Sequence, residues 1–178
     1  MQRINLTAAV LLFLAACGGG GEAQSPGAAL LFAGGTGGLT PAEQQLILDN
    51  SGLVLDSTGT ALVDYSCGLP VGAAVEFSDW NGDGNQEVLV IAGNTCTSGM
   101  AGSSVFLFIK DSTGTYLPNL GFPASSATPE STANLGYPDL LIGGPGFCFP
   151  VWRWDGTAYQ FLKRVSQAPD GCNYPPGG

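Results

Sequence analysis

The chain has 178 residues, of which 28 are glycine, and a net charge of −9. This length suits one domain and is sufficient for a hydrophobic core. The acidic balance argues against nucleic acid as a partner, because phosphate binding requires a basic patch. Histidine is absent from the sequence, which excludes Ser-His-Asp and Cys-His catalytic arrangements and most general-base chemistry near neutral pH.

The N-terminus has the pattern of a bacterial export signal. Arg3 carries a positive charge, and the apolar stretch of residues 8–16 that follows is too short to span a bilayer. This stretch ends in Leu14-Ala15-Ala16-Cys17, which resembles the lipobox of bacterial lipoproteins. The resemblance implies cleavage before Cys17 and attachment of lipid to that cysteine. The alternative is an ordinary secretory signal in which Cys17 is incidental.

These features divide the chain into three parts. Residues 1–16 are predicted to be the signal peptide, and residues 17–39 a lipidated tether rich in Gly, Ala and Ser and mostly disordered. Residues 40–178 are predicted to form a β-rich domain outside the cytoplasm. Because two or more acyl chains give stable attachment, we expect residence on a membrane of the cell envelope, the outer membrane in a Gram-negative cell.

One short helix is predicted at the start of the domain. Thr40 and Glu43 form a capping box around Pro41, and a helix is expected from Pro41 to Asp49. After it, short β-rich runs are separated by turn residues, which favours a mainly β fold. The predicted strands are Leu53–Leu55, Ala61–Tyr65, Ala74–Phe77, Glu87–Ala92, Val105–Lys110, Thr115–Leu117, Asp139–Ile142, Val151–Trp154 and Tyr159–Val165.

A weak internal repeat is visible within the β-rich part. Glu87 and Asp139 are each followed by three aliphatic residues, and a cysteine stands nine residues beyond each acid. Each copy then continues with a strand, a glycine-containing turn and an aromatic strand. The pattern predicts two small antiparallel, blade-like β-sheets packed as one domain.

The strongest local motif is the segment Asp79-Trp80-Asn81-Gly82-Asp83-Gly84-Asn85-Gln86-Glu87. Side-chain oxygens occupy positions one, three, five and nine, and glycine at position six permits a sharp turn. The ligands of a calcium ion would be Asp79, Asn81, Asp83, the carbonyl of Asn85, and Glu87. An EF-hand is excluded, because Val90 stands at position twelve.

The segment resembles the loop of FG-GAP/VCBS repeats. That resemblance implies calcium binding by Asp79, Asn81, Asp83, Asn85 and Glu87 within a β-blade, and it implies no particular activity. The alternative is that Asn81-Gly82 and Asp83-Gly84 are hairpin-turn dipeptides without a metal. The corresponding positions of the second copy lack most of these ligands, so one site is expected.

Four cysteines remain after Cys17, namely Cys67, Cys96, Cys148 and Cys172. An even number in an exported chain predicts two disulfides, and the absence of CxxC pairs and of histidine disfavours zinc. The shortest loops result from the pairs Cys67–Cys96 and Cys148–Cys172. The rival pairing is Cys96–Cys148 with Cys67–Cys172.

Trp152 and Trp154 lie two residues apart in a predicted strand and therefore share one face, next to Tyr159 and Phe161 on the following strand. These side chains either fill the space between sheets or form a platform for a sugar. The sequence thus favours a non-enzymatic binding or surface-structural module with an unidentified protein or glycan ligand. A carbohydrate-binding module and, less favoured, a hydrolase that uses carboxylates are the alternatives.

Overall fold

The computed structural model describes residues 23–169 and 171–172. The predicted signal peptide, Cys17 and the start of the tether lie outside the described residues. None of the described helices is long and apolar enough to cross a membrane.

The described part of the predicted tether is folded, which corrects the expected domain boundary at residue 39. Helix α1 spans Pro26–Leu31, with Ser25 as its N-cap. Ala28, Leu31 and the following Phe32 are buried, because this short apolar island packs on the hydrophobic face of a sheet. Its glycine- and alanine-rich composition resembles a linker, although the Ser-Pro pair is a helix-start signal.

Helix α2 spans Pro41–Asn50 and confirms the predicted helix. Thr40 accepts a hydrogen bond from the backbone N–H of Glu43, and the Glu43 carboxylate accepts one from the backbone N–H of Thr40. A four-residue helix that was not predicted, α3, spans Thr95–Ser98.

In the described part of the chain, ten strands form three antiparallel sheets, which confirms the mainly β class and the two small antiparallel sheets that were predicted. Strands β1 and β2 form a small hairpin. Sheet 1 has the order β3-β4-β5-β6, and sheet 2 has the order β10-β9-β8-β7. The strands are β1 Leu53–Leu55, β2 Leu62–Asp64, β3 Gly72–Ser78, β4 Glu87–Gly93, β5 Ser104–Lys110, β6 Tyr116–Pro123, β7 Ser126–Asn134, β8 Tyr137–Gly143, β9 Cys148–Trp154 and β10 Tyr159–Ser166.

Sheet 1 is the middle layer of the domain. Successive side chains of β4 point to opposite faces: Val88 and Val90 join a helix-side core with α1 and α2, whereas Leu89 joins an inter-sheet core with sheet 2. A strand buried on both faces explains the uninterrupted aliphatic run of β4. The order of layers is therefore helices, sheet 1, sheet 2.

Strand β7 was missed by the sequence analysis. It is polar, contains Pro129 and is irregular between Pro129 and Ala133. These features are tolerated because β7 is an edge strand of sheet 2, where few of its backbone donors must pair.

Both predicted disulfides are present. Cys67 is bonded to Cys96, and Cys148 is bonded to Cys172. Each bridge closes a local loop, as the shortest-loop argument predicted, and the rival pairing is wrong.

Candidate metal centre

The predicted calcium loop connects β3, which ends at Ser78, to β4, which begins at Glu87. The Asp79 carboxylate accepts hydrogen bonds from the backbone N–H groups of Asp83 (3.0 Å) and Gly84 (2.9 Å). The amide oxygen of Asn81 also accepts from Asp83 N–H, at 3.0 Å. Gly84 has φ +87°, a conformation that glycine adopts without strain. The loop is therefore wound around the oxygens of its first residues.

Asp83 lies at the exposed side of this loop. Its carboxylate accepts hydrogen bonds from the backbone N–H of Asn85 (2.7 Å) and from the side-chain amide of Asn81 (2.9 Å). These hydrogen bonds lower the pKa of Asp83, and the one from Asn85 contributes most. The carboxylate is therefore ionised over a wide pH range.

Glu87 lies on the inner side of the loop and is only 2% exposed to solvent. One carboxylate oxygen accepts a hydrogen bond from the backbone N–H of Trp80 (2.6 Å), and the other accepts from the Tyr137 hydroxyl (3.3 Å). Burial raises the pKa of Glu87, and the negative charge of Asp83 raises it further. Burial and the charge of Glu87 in turn raise the pKa of Tyr137.

The five predicted ligands thus share one loop, but their side chains are turned mainly toward hydrogen-bond donors. Among the described residues, no three Asp, Glu or Cys side chains converge in a metal-binding group. The ion pairs of the described chain, Lys110 with Glu43 and Arg153 with Asp139, also leave this loop without a basic partner. The potential metal ligands of this loop are hard oxygens, which suit calcium, and together they carry a negative charge.

Sheet 2 provides a counterpart to this site. Asp139 is 1% exposed and stands at the position of β8 that corresponds to Glu87 in the repeat. Arg153 donates to both of its oxygens, from Nε at 2.8 Å and from Nη2 at 2.7 Å, and the Thr132 hydroxyl donates as well. The hydrogen bonds from Arg153 are the main cause of the lowered pKa of Asp139.

The strand registers show why the two acids differ. On sheet 2, Leu140 pairs with Trp152, and Arg153 is the next residue along β9. On sheet 1, Val88 pairs with Phe108, and the next residue along β5 is Ile109. An aliphatic residue therefore stands where sheet 2 supplies the guanidinium.

The aromatic residues fill space between the sheets. The Trp154 ring lies 4.6 Å from that of Tyr137 and 5.6 Å from that of Tyr159, centroid to centroid. Tyr159 is almost fully buried, and Trp154 is partly buried against the inter-sheet core. Trp152, Trp154 and Tyr159 therefore do not form an exposed platform. Trp152 instead stacks on Phe122 at 5.2 Å.

Two contacts of the buried acids were not predicted from the sequence, namely Tyr137 with Glu87 and Arg153 with Asp139. The alignment of Glu87 with Asp139 was a signal for the second, because it directs attention to the residue across from each acid. No sequence pattern indicated Tyr137, which reaches Glu87 from the other sheet.

No protein-family model, curated protein or solved structure matches this chain. The resemblance of residues 79–87 to the FG-GAP/VCBS loop and that of residues 14–17 to the lipobox therefore rest on those residues alone.

Proposed function

We propose that this is an exported lipoprotein whose β domain binds calcium through residues 79–87 and acts as a non-enzymatic binding or surface-structural module. The observation that carries the calcium proposal is the contrast between the two buried acids. Asp139 has a guanidinium partner, whereas the Glu87 carboxylate accepts hydrogen bonds only from neutral groups among the described residues.

Electrostatics supports a cation at the loop. Burial of an unpaired carboxylate is costly, and the group then shifts its pKa unless an opposite charge compensates it. The raised pKa of Glu87 reflects this cost together with the negative charge of Asp83. A divalent ion bound by Asp79, Asp83 and Glu87 would offset both effects.

The ligand chemistry selects calcium over magnesium or zinc. Asp79, Asp83 and Glu87 offer carboxylates, Asn81 an amide oxygen and Asn85 a backbone carbonyl, with neither thiolate nor imidazole among them. Calcium accepts many oxygen ligands in flexible geometry, whereas magnesium requires near-ideal octahedral geometry and retains water. The ion would fix the β3–β4 connection, and hence the pairing at one edge of sheet 1.

The test is thermal unfolding of the chain from Gly18 onward, which includes every residue that the structure describes. Saturation at about a hundred times the dissociation constant adds about 2.7 kcal/mol, and a domain of this size gains roughly 2–4 °C per kcal/mol. Asp83→Ala should abolish this response. Equal melting temperatures with calcium and with chelator would refute the proposal.

Asp111→Ala is the matched control. Asp111 is a partly exposed turn aspartate whose carboxylate, like that of Asp79, accepts backbone hydrogen bonds, here from Thr113 and Thr115. The substitution should lower stability by the same amount with calcium and with chelator. An equal loss of calcium response in Asp111→Ala and Asp83→Ala would indicate a general turn effect.

The lipoprotein part of the proposal is tested separately. Cys17→Ser should abolish incorporation of labelled fatty acid and leave the precursor uncleaved, because the acylated cysteine defines the processing site. Ala15→Gly, which keeps a small residue before Cys17, is the control and should be labelled normally. Labelling of Cys17→Ser at the native level would contradict the assignment.

A further inference from the structure

A groove runs along the junction of the two sheets at the Cys148 end of β9. It has a volume of about 370 Å³. Its walls come from β6, β8, β9 and β10 and include Phe122, Ile142, Pro150, Trp152, Phe161 and Arg164. We refer to it as the β9–β10 groove. Phe161 is 53% exposed although it is a large apolar side chain, so the groove presents an aromatic surface to solvent.

Trp152 carries an unsatisfied hydrogen-bond donor. Its Nε1 is the buried side-chain polar atom that has no hydrogen-bond partner among the described residues. Buried donors in folded proteins are nearly always paired, and an exception requires an explanation. Trp152 lines the groove, and a ligand oxygen there would supply the missing acceptor once the indole turns to expose Nε1.

Arg164 supplies the second polar feature. Its guanidinium carbon lies 5.8 Å from the centre of the Phe161 ring. Arg153 and Lys110 form ion pairs with carboxylates, but Arg164 has no such partner in the described part of the chain. The protein has a net charge of −9. The Arg164 guanidinium, which lies above an aromatic surface without a carboxylate partner, is therefore complementary to an anionic ligand.

The composition of the groove decides between ligand classes. Of the described residues that line it, Arg164 alone is charged, and the remainder are apolar, aromatic, proline or glycine residues and a disulfide-bonded cysteine. A neutral sugar requires several hydrogen-bonding partners for its hydroxyls, which this lining does not offer. An apolar body with one anionic head group matches both the walls and the guanidinium.

We propose that the β9–β10 groove binds a small amphiphilic carboxylate. The carboxylate would pair with Arg164 and accept a hydrogen bond from Trp152 Nε1, while the apolar body would pack on Trp152, Phe122 and Phe161. This proposal rests on the binding role proposed above, and it requires neither calcium nor the lipid anchor.

The test uses decanoate below its micelle concentration and the chain from Gly18 onward, in solution near neutral pH. Decanoate should bind saturably and shift one of the three tryptophan indole N–H resonances in a ¹⁵N-correlated spectrum. Trp152→Phe assigns that resonance, since it should disappear from the spectrum. Decanol, which lacks the charge, should bind more weakly.

Arg164→Gln should weaken decanoate binding by about ten- to a hundredfold, since a hydrogen bond to a charged group contributes about 1.5–3 kcal/mol, while its affinity for decanol should stay unchanged. Lys163→Gln is the matched control. Lys163 is a neighbouring cation of β10 that pairs in register with Val151 and is not among the groove residues, so decanoate affinity should be preserved.

Two results would overturn the proposal. One is an indole resonance of Trp152 that does not move at saturating decanoate. The other is equal affinity of the native chain, Arg164→Gln and Lys163→Gln, which would indicate nonspecific partitioning. Melting temperatures of the same samples with calcium and with chelator separate the two proposals. A domain that binds decanoate but whose melting temperature does not respond to calcium would refute only the calcium site.

Discussion

Sheets 1 and 2 each bury one acidic residue directly before an aliphatic run, and they stabilise it differently. In sheet 2, Arg153 from the adjacent strand neutralises Asp139. In sheet 1, Ile109 takes the place of the arginine, and Glu87 lies beneath a loop that contributes two further carboxylates, Asp79 and Asp83. The two four-stranded sheets thus hold two different electrostatic environments.

Two sheets of similar topology can therefore depend on solution conditions to different degrees. A guanidinium is part of the chain, so the acid of sheet 2 is compensated at any calcium concentration. The acid of sheet 1 would depend on an ion from outside, so its contribution to stability would vary with calcium concentration.

The largest effect is expected for Arg153→Met. Removal of the cation leaves Asp139, which is 1% exposed, without its charge partner, and such losses cost about 3 kcal/mol or more. Urea unfolding should show this loss equally with calcium and with chelator. The double variant Arg153→Met with Asp139→Leu should recover most of the stability. A loss of stability that calcium reverses would contradict the conclusion that Arg153 is the charge partner of Asp139.

A smaller effect is expected for Glu87→Gln in sheet 1. The substitution removes the buried charge but keeps an oxygen for the Trp80 N–H, so stability in chelator should not fall. The stabilisation by calcium, about 2.7 kcal/mol at a hundred times the dissociation constant, should drop by more than half. Asp139→Asn is the control and should retain the native calcium response. Undiminished stabilisation of Glu87→Gln would exclude Glu87 as a ligand.

The smallest effect concerns acid. The folded-state pKa of Asp139 is lowered from its usual 3.8, so its contribution to stability is complete above that value and is lost as the pH falls through the folded-state pKa. Each unit of lowering corresponds to about 1.4 kcal/mol. Asp139→Asn should therefore flatten the acid side of the stability profile in urea titrations below about pH 4. A profile parallel to that of the native chain would show that other carboxylates dominate.

Much of the fold followed from local pattern. Strand β4 was predicted nearly to its ends because an aliphatic run buried on both faces has a strong signal, and α2 because Thr40, Pro41 and Glu43 mark a helix start. Strand β7 and helix α1 were missed. Pro129 and polar neighbours hide an edge strand, and a six-residue helix rich in small residues resembles a linker until its packing partner is known.

The residues of the candidate site could be predicted from the sequence, but their burial and their hydrogen-bond partners could not. The spacing from Asp79 to Glu87 identified the loop, whereas the burial of Glu87 depends on Tyr137, fifty residues away. The pairing of Arg153 with Asp139 likewise depends on strand register, which no local window contains. Trp152 and Trp154 share a face as predicted, but only the packing of the two sheets decides that this face is internal.

The position of α1 sets how far the domain can extend from a membrane. With lipid on Cys17, the chain reaches the cap residue Ser25 after eight residues, a span of at most about 30 Å; a tether that continued to residue 39 would reach more than twice as far. Any partner of the β9–β10 groove would then have to meet the protein within this tether length plus one domain's width of the lipid surface.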